Sequence, residues 1–278
     1  MSDRDFRFGI VVGQAPSGDE WTDTARRAEE LGYHTMLVPD TLNTLAPFPA
    51  LAAAAAATRT LRVGTYVLSA PNRAPALVAW ESKTLQLLSG GRFELGVGGG
   101  RPDAERDAAA LGGAFGTPGE RLRRVADTIR AVRESAPESP PPILVAASKP
   151  GMLRLAAEQA DIVAFGLPPQ ASEEELAGTV HALREFAGAR FESIELHVNL
   201  VAVAESVDAV PDWVSRMVGG DPRAMAAAGG IAFLIGSPAE IADTLRRRRA
   251  ELGISYIAVN AMFLEQFAPV IADLRGSR

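Results

Sequence analysis

The chain of 278 residues contains no cysteine, which excludes disulfides, thiolate metal sites and a cysteine nucleophile together. Lysine is nearly missing as well. Of 28 basic residues only Lys83 and Lys149 are lysines, so the position of each is worth following. The three histidines, His34, His181 and His197, lack metal-ligand spacing and are expected to be structural, with no metal site. No Walker loop and no serine in a nucleophile elbow are present. Long apolar runs are absent too: none approaches ~18 residues, and "MSDRDFRFGI" has no core of signal-peptide length. A cytoplasmic protein with no membrane partner is the expectation. The net charge of −6 argues against nucleic acid as a partner, because phosphate contacts dominate that affinity.

What is present is an alternation. Short apolar stretches recur at 6–12, 34–38, 62–68, 92–98, 142–146, 161–165, 194–203 and 255–259. Near-continuous apolar strands suit a parallel sheet buried on both faces. Helical segments with start signals lie between them. Ser17 with Glu20, Thr117-Pro118 with Glu120, and Ser237-Pro238 with Glu240 each spell a capping box. "EELGY" and "AELGIS" place a glycine past the last apolar position, which is a stop signal. Eight such units over 1–278 predict one closed (β/α)8 TIM barrel, with a doubly wound open sheet as the rival. "GGIAFLIGS" (229–237), whose apolar run could be a ninth strand, reads as a loop leading into the following helix, and "RRRR" (246–249) as a solvated helix face.

In such a barrel chemistry gathers at the C-terminal strand ends. There stand Gln14; Asp40-Thr41; Ser69 to Arg73; Gly98-Gly99-Gly100-Arg101; Ser148-Lys149; and Phe165-Gly166. "ELGVGGGRP" is not a dinucleotide fingerprint, because Arg101 stands where a third glycine is required and "RPDAERD" is no clean helix start. Its glycines suit either a tight turn or a backbone that a flat ligand approaches closely. In "VAASKPGMLRLAAEQAD", Ser148 can cap and Pro150 suits the first helical turn. A helix N-terminus beside Lys149 is then a ready anion site, which Phe165 and Gly166 on the next strand exit could close. An ordinary capped helix with a solvated lysine is the alternative.

Together "LVPDTL", "TLQLLSGGRFELGVGGG", "PPILVAASKPGMLRLAAEQAD" and "IGSPAEIADTLRRRRAELGISYIAV" resemble the bacterial luciferase-like flavin superfamily. The likeness is greatest to its actinobacterial branch, which uses the deazaflavin coenzyme F420. The resemblance implies a luciferase-like barrel, usually a homodimer, that holds F420 or FMN and acts on a small-molecule substrate. Asp40 would face the ring system. Tyr66 and Val67 would flank a non-prolyl cis peptide behind it, and Gly98 to Gly100 would admit the ring edge or ribityl chain. Ser148, Lys149, Gly151 and Met152 would cradle the phosphate.

The chain departs from the superfamily pattern in places. Thr41 replaces a common histidine, Arg101 stands where relatives carry an aromatic residue or glutamate, and the phosphate loop "AASKPG" is poorer in glycine. The stretch between "VRESA" and "PPPILV" is short, as if a substrate-covering loop were missing. The leading expectation is an oxidoreductase exchanging hydride between F420 and an organic substrate. Thr41 and Arg101 would be the catalytic candidates: Arg101 would pair with an anionic group and Thr41 would donate a hydrogen bond. Arg73, Arg101 and Lys149 supply positive charge for the acidic tail of F420. The alternatives are an FMN-dependent monooxygenase, a degenerate cofactor-binding barrel, and a phosphate-binding lyase or isomerase. The alanine-rich 51–60 could pack against a partner helix.

Overall fold

The apolar stretches become strands and the capped segments become helices in the computed structural model, which describes residues 4–101 and 104–276. The chain runs β1 (Arg7–Val11), α1 (Gly18–Glu30), β2 (Thr35–Val38), α2 (Pro47–Ala57), β3 (Arg62–Thr65), β4 (Leu68–Ser69) and α3 (Pro75–Leu88). It continues with β5 (Phe93–Gly98), α4 (Ala104–Ala110), α5 (Pro118–Ser135), β6 (Ile143–Ala147), α6 (Pro150–Gln159), β7 (Ile162–Phe165), α7 (Glu173–Ala187) and β8 (Glu195–Leu200). The last part is β9 (Ala202–Ala204), α8 (Ser215–Val218), α9 (Pro222–Ala227), β10 (Phe233–Ile235), α10 (Pro238–Leu252), β11 (Ile254–Asn260) and α11 (Leu264–Gly276). Parallel pairing in the order β3-β2-β1-β11-β8-β7-β6-β5-β4, with β3 also paired to β5, closes the sheet into a (β/α)8 barrel.

The helix signals hold where chemistry demands them. Thr117 with Glu120, and Ser237 with Glu240, form complete capping boxes, each worth about 1 kcal/mol. Ser17 accepts the Glu20 amide. Gly253 ends α10 with φ of 79°, a left-handed conformation that suits glycine.

Four readings change. The third strand is broken: its pairing stops at Thr65 and resumes at Leu68, on either side of a cis peptide between Tyr66 and Val67. The stretch 194–203 divides at Val201, whose amide donates to Ala232 O and so leaves the barrel ladder. Residues 233–235, expected in a loop, therefore form β10, which pairs with β9 in a second, two-stranded sheet. The four arginines are not one solvated face either. Arg248 is buried, donating to Glu173 and to Ile231 O, which fastens the 202–235 excursion to α10.

The barrel interior is filled unequally. Its apolar cluster is Leu37, Leu144, Ile162, Ala164, Tyr256 and Ala258. The N-terminal end is ionic: Arg7 Nη1 lies 2.7 Å from Glu94 Oε1, Arg62 also pairs with Glu94, and Arg7 Nε lies 3.1 Å from Glu195. The Arg7 guanidinium sits 4.0 Å over the Tyr256 ring. The short connection 136–142 joins α5 to the start of β6, at this N-terminal end. Its shortness has no bearing on substrate cover, which belongs to the opposite rim.

Candidate functional site

Strand ends decide the site. A cavity of about 420 Å3 opens at the C-terminal rim, where β2, β4, β5, β6 and β7 deliver Asp40, Thr41, Tyr66, Val67, Ser69, Gly98 to Arg101, Ala146 and Gly166. A second cavity of about 430 Å3 adjoins it across Gly99, Gly100 and Ala146, and is lined by Ser148, Lys149, Gly151, Met152 and Arg121. Thirteen of the fourteen residues expected to meet the ring, the phosphate or the substrate thus line one continuous cleft. The exception is Phe165. It ends β7 buried in the surrounding core, while Gly166 beyond it reaches the cavity.

The cavity floor is carbon and glycine. Val67 and Tyr66 cap the inner cluster, and a Cβ on Gly98 would stand 2.9 Å from Val67 Cγ2, so a larger residue there would displace the Val67 side chain. Gly100 has φ of 80°, and a Cβ there would meet Ser69 Oγ at 2.8 Å. Both glycines are required by close approach rather than by a turn alone. Beneath the floor His197 lies fully buried, its ring centroid 5.0 Å from that of Tyr66 and 4.5 Å from that of Tyr256. Burial lowers its pKa to about 3, with the Arg7 charge adding to the effect, so the imidazole is neutral at physiological pH. Burial also raises the Tyr66 hydroxyl above its ordinary range. His34 sits at the far end, accepting the Phe8 amide at 3.0 Å, and His181 is an exposed partner of Glu185. Among the described residues no cluster has the make-up of a metal site.

Asp40 lines the cavity, but its oxygens are committed. Arg73 donates to both of them, at 3.2 and 2.8 Å, and the Ser69 amide adds a bond of 3.0 Å. Asp40 therefore ties the β2 exit to the loop after β4. Arg73, expected to serve an acidic ligand, is spent on this pair and lies 3.7 Å from Glu81. Thr41 keeps only a long 3.5 Å contact to Thr44 Oγ1, so its hydroxyl is available to the cavity.

Ser148 does not cap α6. The N-cap is Lys149, and no side chain closes that helix end. Pro150 has no amide proton, so the first-turn donors are the amides of Gly151 and Met152. They belong to the wall of the second cavity, beside exposed Lys149. Arg121 lies at the same wall, its guanidinium 4.2 Å over the Phe115 ring and its Nη1 donating to Gly116 O.

Sequence reading missed Asp107, which lines the first cavity and accepts the Leu42 amide at 3.3 Å. It lies on α4, the helix that "RPDAERD" begins after all, from Ala104. Its first-turn acids, Glu105 and Asp107, were the usable signal. Arg121 was missed because it lies on α5, beyond any strand exit.

Residues 6–256 match the model of the luciferase-like monooxygenase family. The chain belongs to that family. It is an oxidoreductase. Among its relatives is an F420-dependent glucose-6-phosphate dehydrogenase of Nakamurella multipartita, 28% identical over 229 residues, covering 70% of this chain and 67% of the relative. Its fold matches a solved F420-dependent secondary alcohol dehydrogenase in complex with an F420-acetone adduct, with a TM-score of 0.76 and 16% identity over 98% of this chain and all of that one (100%). The monooxygenase RslO1 of Streptomyces bottropensis superposes with a TM-score of 0.72 and 23% identity, covering 96% of both chains. The luciferase-like family barrel explains why the cleft sits where it does. No described helix is long and apolar enough to cross a membrane.

Proposed function

We propose that this luciferase-like enzyme exchanges a hydride between coenzyme F420 and a small organic substrate. The observation that carries the reading is the junction of the two cavities. A glycine-floored slot runs directly into a helix N-terminus that no side chain caps and that carries Lys149. That pairing suits a flat heterocycle joined by a short chain to a phosphate. The donor set fits as well, since two free amides and an ammonium favour an anion.

Gly98, Gly99 and Gly100 would admit the ring, with Val67 and Tyr66 behind it. Gly151, Met152, Ser148 and Lys149 would hold the phosphate. When bound, the deazaflavin supplies the carbon that takes or gives the hydride. The protein's own residues shape and dry the slot. Thr41 presents a hydroxyl to the substrate side, and Arg101 stands at the cavity edge. The kinship with F420-dependent dehydrogenases supports this cofactor. FMN is the second reading, favoured by the family's monooxygenase members, because both coenzymes present the same ribityl phosphate.

Equilibrium titration with oxidised F420, followed through its fluorescence, tests the assignment. Saturable quenching is expected, and Lys149→Ala should weaken binding about tenfold, or roughly 1.4 kcal/mol. Tight FMN binding without any response to F420 would reverse the choice.

We also propose a homodimer built on α2 and α3. Trp80 is 72% exposed, and with Leu77, Leu88, Phe48 and Ala52 it lines an apolar groove of about 270 Å3. Single exposed leucines are ordinary, but a contiguous patch of this kind is not. Trp80→Glu should convert the species seen by light scattering from dimer to monomer. An unchanged mass would remove α3 from the interface.

A further inference from the structure

A line of four side chains crosses the barrel interior from its ionic end to the cleft. Arg7, paired with Glu94 at 2.7 Å, lies 4.0 Å over the ring of Tyr256. That ring meets His197 edge to face, with centroids 4.5 Å apart and planes at 88°. His197 in turn lies 5.0 Å from the ring of Tyr66, and its Nδ1 stands 3.5 Å from the Tyr66 hydroxyl. Both ring contacts fall in the range of attractive aromatic pairs. Tyr66 lines the first cavity, so the line ends on the surface where a flat ligand would rest.

Packing does not explain a histidine at its centre. The inner cluster beside it is built from Leu37, Leu144, Ile162 and other apolar groups. His197 is 0% exposed, and its Nε2 has no hydrogen-bond partner among the described residues. A buried polar atom without a partner costs stability that an aliphatic side chain would not. Proton transfer does not explain it either. Burial, with the Arg7 charge behind it, lowers the pKa to about 3, so the ring stays neutral at physiological pH. What a neutral imidazole offers Tyr66 is a flat ring beside its own and a nitrogen facing its hydroxyl. The strand makes that placement firm, because β8 holds His197 in register with Ala164 of β7 and Tyr256 of β11.

We infer that His197 is a positioning residue for the coenzyme: acting through Tyr66, it fixes the height and tilt of the ring that floors the slot. Its own place is set from the far end of the barrel, through Tyr256 and Arg7. The inference rests on the coenzyme reading of the cleft and is indifferent to the choice between F420 and FMN.

The test is titration of the full chain with F420, and separately with FMN, at pH 7. His197→Leu should weaken the coenzyme that binds about fivefold, the scale of one lost aromatic contact. Tyr66→Phe keeps the ring, loses the hydroxyl and should weaken it about threefold. In the His197→Leu background the same change should add nothing, because its effect passes through the missing imidazole. His197→Asn keeps an acceptor near the place of Nδ1 and should stay within about twofold of the wild type. Circular dichroism and urea unfolding establish that each variant is folded under the conditions of titration. Wild-type affinity in folded His197→Leu, or losses that multiply in the double variant, overturns the inference.

A second measurement needs no coenzyme. In 15N-histidine-labelled protein the His197 signals are assigned by their loss in His197→Leu. Tyr66→Phe and Glu94→Gln should each shift them and leave those of exposed His181 in place. Unmoved His197 signals in either variant overturn the inference as well. The two measurements together separate it from the cofactor reading. Failure of both coenzymes to bind the wild type removes that reading and the positioning role with it, whereas tight binding that ignores His197→Leu removes the positioning role alone.

Discussion

Replacing Glu94 with alanine should destabilise the protein by about 4 kcal/mol, the cost of stripping one partner from a buried ion pair. Glu94 is 1% exposed and answers both Arg7 and Arg62. Burial alone would raise its carboxyl, but the two guanidinium charges and their hydrogen bonds override that and hold it below the ordinary range. Such a group stabilises the fold above its unfolded value, about 4.3, and loses that contribution as pH falls through the lowered folded value. The deficit of Glu94→Gln should accordingly be full at pH 7 and shrink below about pH 4.

Glu195 behaves in the opposite sense. Burial raises its carboxyl more than Arg7 lowers it, and its 3.1 Å approach to Arg7 lacks hydrogen-bond alignment. Its favourable contribution is present below the unfolded value and is lost as pH rises through the folded one. Glu195→Gln should leave stability at pH 7 unchanged or higher. Urea unfolding of the two variants at pH 7 and pH 4 checks both signs. Equal losses at pH 7 would show that the two carboxylates share the guanidinium equally.

The second large effect is expected at Asp40→Ala. Both partners are largely buried, with side-chain exposures of 7% for Asp40 and 18% for Arg73. Removing the carboxylate strands a guanidinium and leaves the Ser69 amide unpaired, which should cost about 3 kcal/mol. The cost is also geometric. Ser69 bounds the slot beside Gly100, so releasing it widens the floor. F420 affinity should drop at least tenfold in Asp40→Ala and less in Asp40→Asn, which keeps an acceptor for the amide. Full affinity in the alanine variant, with lost stability only, would confine Asp40 to folding.

Why some of this was legible in the chain and some was not follows from range. Gly98 to Gly100 and Lys149-Pro150-Gly151 were readable because each feature is written in consecutive residues and because a barrel places strand ends together. Asp40 lines the cavity, but the commitment of its carboxylate to Arg73 and the Ser69 amide was not foreseen. Its partner Arg73 lies 33 residues away, and no local pattern says that a carboxylate is already satisfied. Arg248 failed for the same reason, since a run of four arginines gives no hint that one of them turns inward to Glu173. The segment 229–237 was mistaken because an apolar run of that length suits loop or strand until Val201 supplies its partner.

The pair β9 and β10 forms a sheet of its own, apart from the closed one, and the stretch it brackets, 202–235, is held by Arg248 and by the carbonyls of Pro169 and Ala171. An exchange of that stretch for one of different length or composition would leave every rung of the closed sheet in register. Length and composition can therefore change in this stretch without moving the strand ends that form the cleft.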